Sequence, residues 1–120
     1  MAFTIRMNSI DLHNKCFRAV SNSANGQVSS LTTFHYRQKG NKIWGTYWGG
    51  SIRFGTLNGI ISGTDLRFNY RHRDESGAFF TGKCQSKALL KDGIIYLSEE
   101  WQWTCDDYSK GESELIQIME

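Results

Sequence analysis

Small turn-forming residues divide this chain at nearly regular intervals, and that layout constrains its fold more than any other feature. Seven turn signals occur in order: Ser23-Ala24-Asn25-Gly26, Lys39-Gly40-Asn41, Gly49-Gly50, Ser62-Gly63-Thr64, Asp74-Glu75-Ser76-Gly77, Lys91-Asp92-Gly93 and Ser109-Lys110-Gly111. Asn-Gly, Gly-Asn, Gly-Gly and Asp-Gly supply the positive φ angles of hairpin turns. Between them lie segments rich in Thr, Val, Ile and aromatics, as strands are. The pattern predicts eight strands, over residues 15–21, 28–38, 42–48, 51–61, 65–73, 78–89, 94–105 and 112–119. Residues 1–14 form a leader with no assigned structure. No long segment carries a helical period.

Consecutive strands joined by short turns make an up-and-down antiparallel meander. Left flat, eight strands would expose two unpaired edges and an apolar face. Closure removes both. The predicted fold class is therefore all-β, a single domain over residues 1–120 in which an eight-stranded meander closes into a calycin- or lipocalin-like barrel. An open, strongly coiled half-barrel is the alternative. The absence of proline fits strands paired on both sides, where a missing N–H would break the ladder. Gly45, Gly55, Gly59 and Gly82 fall inside predicted strands, where they permit tight coiling.

Charge is unevenly placed although the net is only +2. Residues 1–60 carry seven basic and one acidic side chain, and residues 61–120 seven basic and eleven acidic. Closure would set residues 112–119 beside 15–21, with Glu112 and Glu114 facing Lys15 and Arg18. That would neutralise the split within one domain. The 4 Trp, 5 Tyr and 7 Phe, with 39% apolar residues, exclude a disordered chain. Apolar runs are too short for a membrane helix. Cys16, Cys84 and Cys105 show no metal-type spacing. Their odd number, without a secretory signal, predicts reduced thiols in a cytoplasm.

Parity along two strands points to an internal site. Leu66, Phe68, Tyr70 and His72 share one face of the fifth strand and its arginines the other. In the seventh, Ile95, Leu97, Glu99, Trp101 and Trp103 share a face. A carboxylate among such neighbours is desolvated, which raises its pKa. His35 and Tyr36 are adjacent on the second strand, so one of them points inward. Eight strands enclose just enough room for packed side chains or one small ligand. The alternative is a packed core whose polar groups satisfy one another. His13, His35 and His72 are too scattered for a metal site, and no cofactor-binding loop is present. The segment from Asp65 to Arg73 interleaves basic and aromatic residues, but strict alternation sends them to opposite faces. That argues for a solvated arginine face over a nucleic-acid platform.

Several stretches are similar to one family: Phe17-Arg18-Ala19-Val20-Ser21-Asn22-Ser23, Asn25-Gly26, Phe34-His35-Tyr36, Tyr47-Trp48-Gly49-Gly50, Gly82-Lys83-Cys84-Gln85-Ser86 and Glu99-Glu100-Trp101-Gln102-Trp103-Thr104. They resemble a group of small uncharacterised bacterial proteins that often carry the label "N-acetylglutamate synthase". The resemblance covers roughly residues 15–118 and implies acetyl transfer to glutamate. It brings no catalytic residues with it. The Arg/Gln-x-x-Gly-x-Gly/Ala turn by which acetyltransferase domains hold acetyl-CoA is absent from this chain.

The favoured reading is binding of a small organic molecule inside the barrel, without a cofactor or a metal, by a monomer or a homodimer. Trp101, Trp103, Tyr70 and Phe68 would supply apolar walls. Glu99, His72, His35 and Arg18 would supply charge and orientation. The enzymatic alternative is acetyl transfer, or acid–base chemistry at Glu99. The third reading is an interaction module displaying Trp44, Trp48 or Tyr108.

Overall fold

Two-residue alternation runs along the strands, broken by bulges in the first, third and fourth, and each strand turns its larger apolar set to a common interior. The computed structural model describes residues 10–119. The strands are β1 (Lys15–Asn22), β2 (Thr33–Lys39), β3 (Lys42–Gly49), β4 (Ile52–Ser62), β5 (Asp65–Asp74), β6 (Phe79–Lys91), β7 (Ile94–Trp103) and β8 (Lys110–Gln117). Each pairs antiparallel with its sequence neighbour, and β8 returns to β1 to close the barrel. Tight turns at Gly40, Gly63 and Gly93 use positive φ, as the glycine layout predicts.

Several boundaries differ from the predicted ones, most of all the start of β2. Residues 28–32 are not strand, so 23–32 form a long β1–β2 loop. Its polar side chains find local partners that compete with a ladder. Asn25 Nδ2 donates to the Lys110 carbonyl, and Thr32 Oγ1 accepts from the Ser29 N–H and donates to the Gly49 carbonyl. Elsewhere β6 runs on to Lys91, β7 stops at Trp103, and β8 spans Lys110–Gln117, which places Gly111 within a strand.

The seam closes without the expected ion pairs. A bulge between Ala19 and Ser21 sets Arg18 opposite Ile116 and Glu114 opposite Ser21. Arg18 is exposed, Glu114 accepts from the Ser98 hydroxyl, and the Lys15 ammonium donates to the Asp11 carbonyl. Among the described residues the ion pair found is Lys87–Asp65, largely solvent-exposed. The uneven charge is therefore carried on solvated faces rather than neutralised at the seam.

The strand glycines have a specific use. Five face inward, and each sits directly opposite an aromatic residue: Gly45 and Tyr36, Gly55 and Tyr47, Gly59 and Phe68, Gly82 and Tyr70, Gly111 and Trp101. At Gly55, Gly82 and Gly111 a Cβ would collide with the ring of the partner. These glycines are seats on which the rings lie across the inner wall.

The two barrel ends are filled differently. One is packed with Leu12, Ile43, Ile61, Leu66, Leu97 and Leu115, all essentially buried. Residues 10–14, assigned no structure from sequence, supply Ile10 and Leu12 to this plug; the rest of the predicted leader, 1–9, lies outside the described residues. The other end carries rings, polar groups and the 23–32 loop.

Candidate functional site

The inward faces of β5 and β7 bring Phe68, Tyr70 and His72 toward Glu99, Trp101 and Trp103. The rings form a continuous wall: Trp101 and Trp103 lie 5.3 Å apart, Phe80 sits 5.0 Å from Trp103, and His72 stacks on Phe80 at 5.5 Å. Such tilted and edge contacts are the favoured aromatic geometries. Within this wall is a cavity of about 40 Å³, also lined by Phe34 and Tyr47 from β2 and β3. It has room for a few waters. Pockets for drug-sized molecules run to about 300–1,000 Å³, so a larger guest requires the roof to move.

The roof is the β1–β2 loop, whose Gly26, Gln27 and Val28 line the cavity. A chain of hydrogen bonds holds it. Gln27 Nε2 donates to Asp74 Oδ2 at 3.0 Å, and Gln27 Oε1 lies 2.6 Å from His72 Nε2. Asp74 accepts only, which directs the Gln27 amide nitrogen to it and leaves the amide oxygen to accept from His72 Nε2–H. Tyr47 Oη then donates to His72 Nδ1 at 2.9 Å. The imidazole is thereby held neutral. Burial takes its pKa down to about 4, with Asp74 pulling weakly the other way. Hydrogen bonds from Ser76 and Gln27 hold the Asp74 carboxyl down at about 2. A second tie runs from Trp101 Nε1 to Asn22 Oδ1 and from Asn22 Nδ2 to the Val28 carbonyl.

Glu99 reaches the same cavity and is 7% exposed. Its Oε1 accepts from the Ser113 hydroxyl at 3.0 Å, while no protein group bonds to Oε2. Burial pushes the carboxyl up to about 7, with Ser113 lowering it and Glu114 raising it further. Ser86, across the β6–β7 ladder from Glu99, and Tyr36 also carry buried hydroxyls without a protein partner. After burial, Glu99 is the strongest influence raising the Tyr36 hydroxyl.

Of the residues singled out in the sequence, Glu99, Trp101, Trp103, Tyr70, His72 and Phe68 converge on the cavity. His35 and Arg18 do not. Tyr36 takes the inward position on β2, leaving the His35 ring outside, 3.4 Å from Asn14 Oδ1. Arg18 alternates with the inward Phe17 and Ala19, so it points to solvent. Sequence reasoning missed Gln27, Tyr47, Ser113 and Asp74. Asp74 continues the inward parity of β5, which could have exposed it. Gln27 lies in an irregular loop, where no periodicity exists to read. Trp44 and Trp48 lie on the outer face of β3, and Tyr108 in the β7–β8 loop. Among the described residues no group of three His, Cys, Asp or Glu side chains could hold a metal. A larger depression of about 950 Å³ lies on the outer surface of β4–β8, lined by solvated groups such as Arg67, Lys83 and Glu100. Its polar groups keep their water, whereas Glu99 has lost it. The interior is where the chemistry is unresolved.

A closed eight-stranded meander with an aromatic interior and a loop across one mouth is matched by a family model described as "Avidin-like protein", over residues 10–118. The chain belongs to the avidin-like family. The fold of this avidin-like barrel is also that of apo shwanavidin in its P21 crystal form. The TM-score is 0.66 at 13% identity, over 88% of this chain and 98% of that one. No curated protein sequence matches. The barrel class predicted from sequence stands, the calycin- or lipocalin-like likeness is a coarse match to it, and the family is avidin-like. The N-acetylglutamate synthase label appears in none of the comparisons.

Proposed function

We propose that this avidin-like barrel holds a small organic molecule in the ring-lined half of its interior. The molecule lies between Trp101, Trp103, Tyr70 and Phe68, with Glu99 at its inner end and the 23–32 loop as cover. The observation that carries this reading is the half-satisfied buried carboxylate of Glu99 opening onto an aromatic-walled cavity. A structural core residue would have both oxygens paired. Family membership supports the reading, since avidin-like barrels bind small ligands such as biotin. Besides Gln27 and Asn22, bonds through Asn25, Thr32 and Ser51 hold the roof; all are side-chain bonds outside the strand ladders, so it can lift without unzipping any strand.

We read the chain as a binder rather than a catalyst. A paired acid–base mechanism would need a second titratable group beside Glu99. His72, the base in the cavity, is occupied on both ring nitrogens and held neutral. The described elements are all strands, so no helix N-terminus is there to cradle a pyrophosphate.

The test is tryptophan fluorescence and thermal shift of the full chain against biotin and a metabolite panel. A binder is expected to change the emission of Trp101 and Trp103 and to raise the melting temperature. Filling the chamber by Ser113→Phe should remove the response. A panel that moves neither signal, with Ser113→Phe indistinguishable from the parent, overturns the proposal.

A further inference from the structure

Among the residues lining the cavity, none carries a charge that offsets that of Glu99, which identifies what is missing. From β7 itself come Leu97 and Trp101. From β6 come Ser86 and Cys84, and from β8 Ser113, with Glu114 acting from the outer face. Tyr36 on β2, Tyr47 on β3 and Tyr70 on β5 are phenols that burial, with Glu99 adding to it, keeps protonated and uncharged. His72 is the remaining titratable group of the cavity, and its bonds to Tyr47 and Gln27 keep it uncharged. Among the residues lining the cavity there is no Lys or Arg. Meanwhile Trp101, Trp103, Tyr70 and Phe68 present ring surface to the same space. Aromatic faces attract cations, most strongly when water is excluded. A buried carboxylate with one free oxygen, walled by rings and lacking an internal counter-charge, is complementary to a positive nitrogen.

Resting on the reading of the interior as a ligand chamber, we propose that this chamber selects ligands bearing a positively charged nitrogen, an ammonium or amidinium on an apolar stem. The nitrogen goes in first, donating to Glu99 Oε2, with the stem against Trp101 and Trp103. The 23–32 loop closes over the trailing end. A neutral donor could satisfy the same oxygen, but would leave the buried charge uncompensated. An anion would add to it.

The test uses three isosteric probes, n-butylammonium, n-butanol and butyrate, followed by the indole N–H signals of Trp101 and Trp103 in NMR titrations of the full chain at pH 6 and 8. At pH 8 n-butylammonium is expected to bind at least about tenfold more tightly than either other probe. Its own charge is constant over this range, as for a lysine ammonium. A carboxyl titrating at about 7 therefore makes its affinity fall about tenfold from pH 8 to pH 6. Glu99→Gln should erase both the preference and the pH dependence. If that variant does not fold, the pH series on the parent decides. Equal or tighter binding of n-butanol or butyrate at these indoles overturns the cation preference while supporting the ligand chamber. Binding of n-butylammonium that does not change with pH also overturns it. Failure of all three probes overturns it too, and the chamber itself is then judged by the broader panel above.

Discussion

The two ends of this barrel are built from the same strands and fill their space in opposite ways. At one end Leu12, Ile43, Ile61, Leu66, Leu97 and Leu115 interlock with no polar atom among them. At the other, rings stand at angles to one another, polar side chains interrupt them, and a cavity remains. Aliphatic packing returns full transfer and dispersion energy. The ring end forgoes part of that to keep Glu99 desolvated and a loop liftable. Stability is therefore concentrated at the plug, and binding chemistry at the roofed end.

The largest expected effect lies in the plug. Leu97→Ala, at a fully buried position, should cost about 2–5 kcal/mol in urea unfolding. Val28→Ala, in the roof, should cost under about 1 kcal/mol because its side chain is only half buried. Equal costs would break the contrast between the ends.

Next is pH. The Glu99 carboxyl is raised from 4.5 to about 7 on folding, so its contribution is full below pH 4.5 and is lost as pH rises to about 7. The shift corresponds to about 3 kcal/mol. His72, lowered from 6.5 to about 4, acts in reverse: its contribution is full above pH 6.5 and is lost as pH falls toward 4. The two slopes oppose between about pH 4.5 and 6.5. Glu99→Gln should remove one and leave stability rising with pH across that window. An unchanged profile would mean that the roofed end is as wet as the surface.

Most of the fold was legible because it rests on local signals. Turn glycines marked seven of the seams between segments, and alternation on β5 and β7 gave their inward faces directly. The site was legible only where alternation was clean. On β2, large side chains fall on both faces, and nothing local distinguishes His35 from Tyr36. The decision is tertiary: the Tyr36 ring packs edge-on against Phe17 and Phe68 inside the barrel. On β1 the short run of small and polar residues does not show its parity, which packing fixes with Phe17 and Ala19 inward and Arg18 outward. Gln27 was invisible because its role depends on β5 groups forty-five and forty-seven positions away.

Smaller changes sharpen the division. Gly82→Ala places a methyl group where the Tyr70 ring lies and should cost about 1–3 kcal/mol, with near-ultraviolet circular dichroism reporting the displaced rings. If the rings are unmoved, the glycines are not seats. Gln27→Ala removes the latch to His72 and Asp74 and should cost about 1 kcal/mol. Its signature is faster amide exchange confined to residues 23–32. Acceleration spread through β7 and β8 would show instead that the loop is part of the core.

The claim at the centre of this account is that the ring-lined end is a chamber for a guest. An experimental structure of the chain, grown with the strongest binder from the metabolite panel, tests it most directly. The account predicts non-protein density between Trp101 and Trp103 in contact with Glu99, with the Gln27–His72 contact lengthened or broken. A guest bound elsewhere, with Gln27 still on His72 and the rings still closed around a few waters, would contradict it.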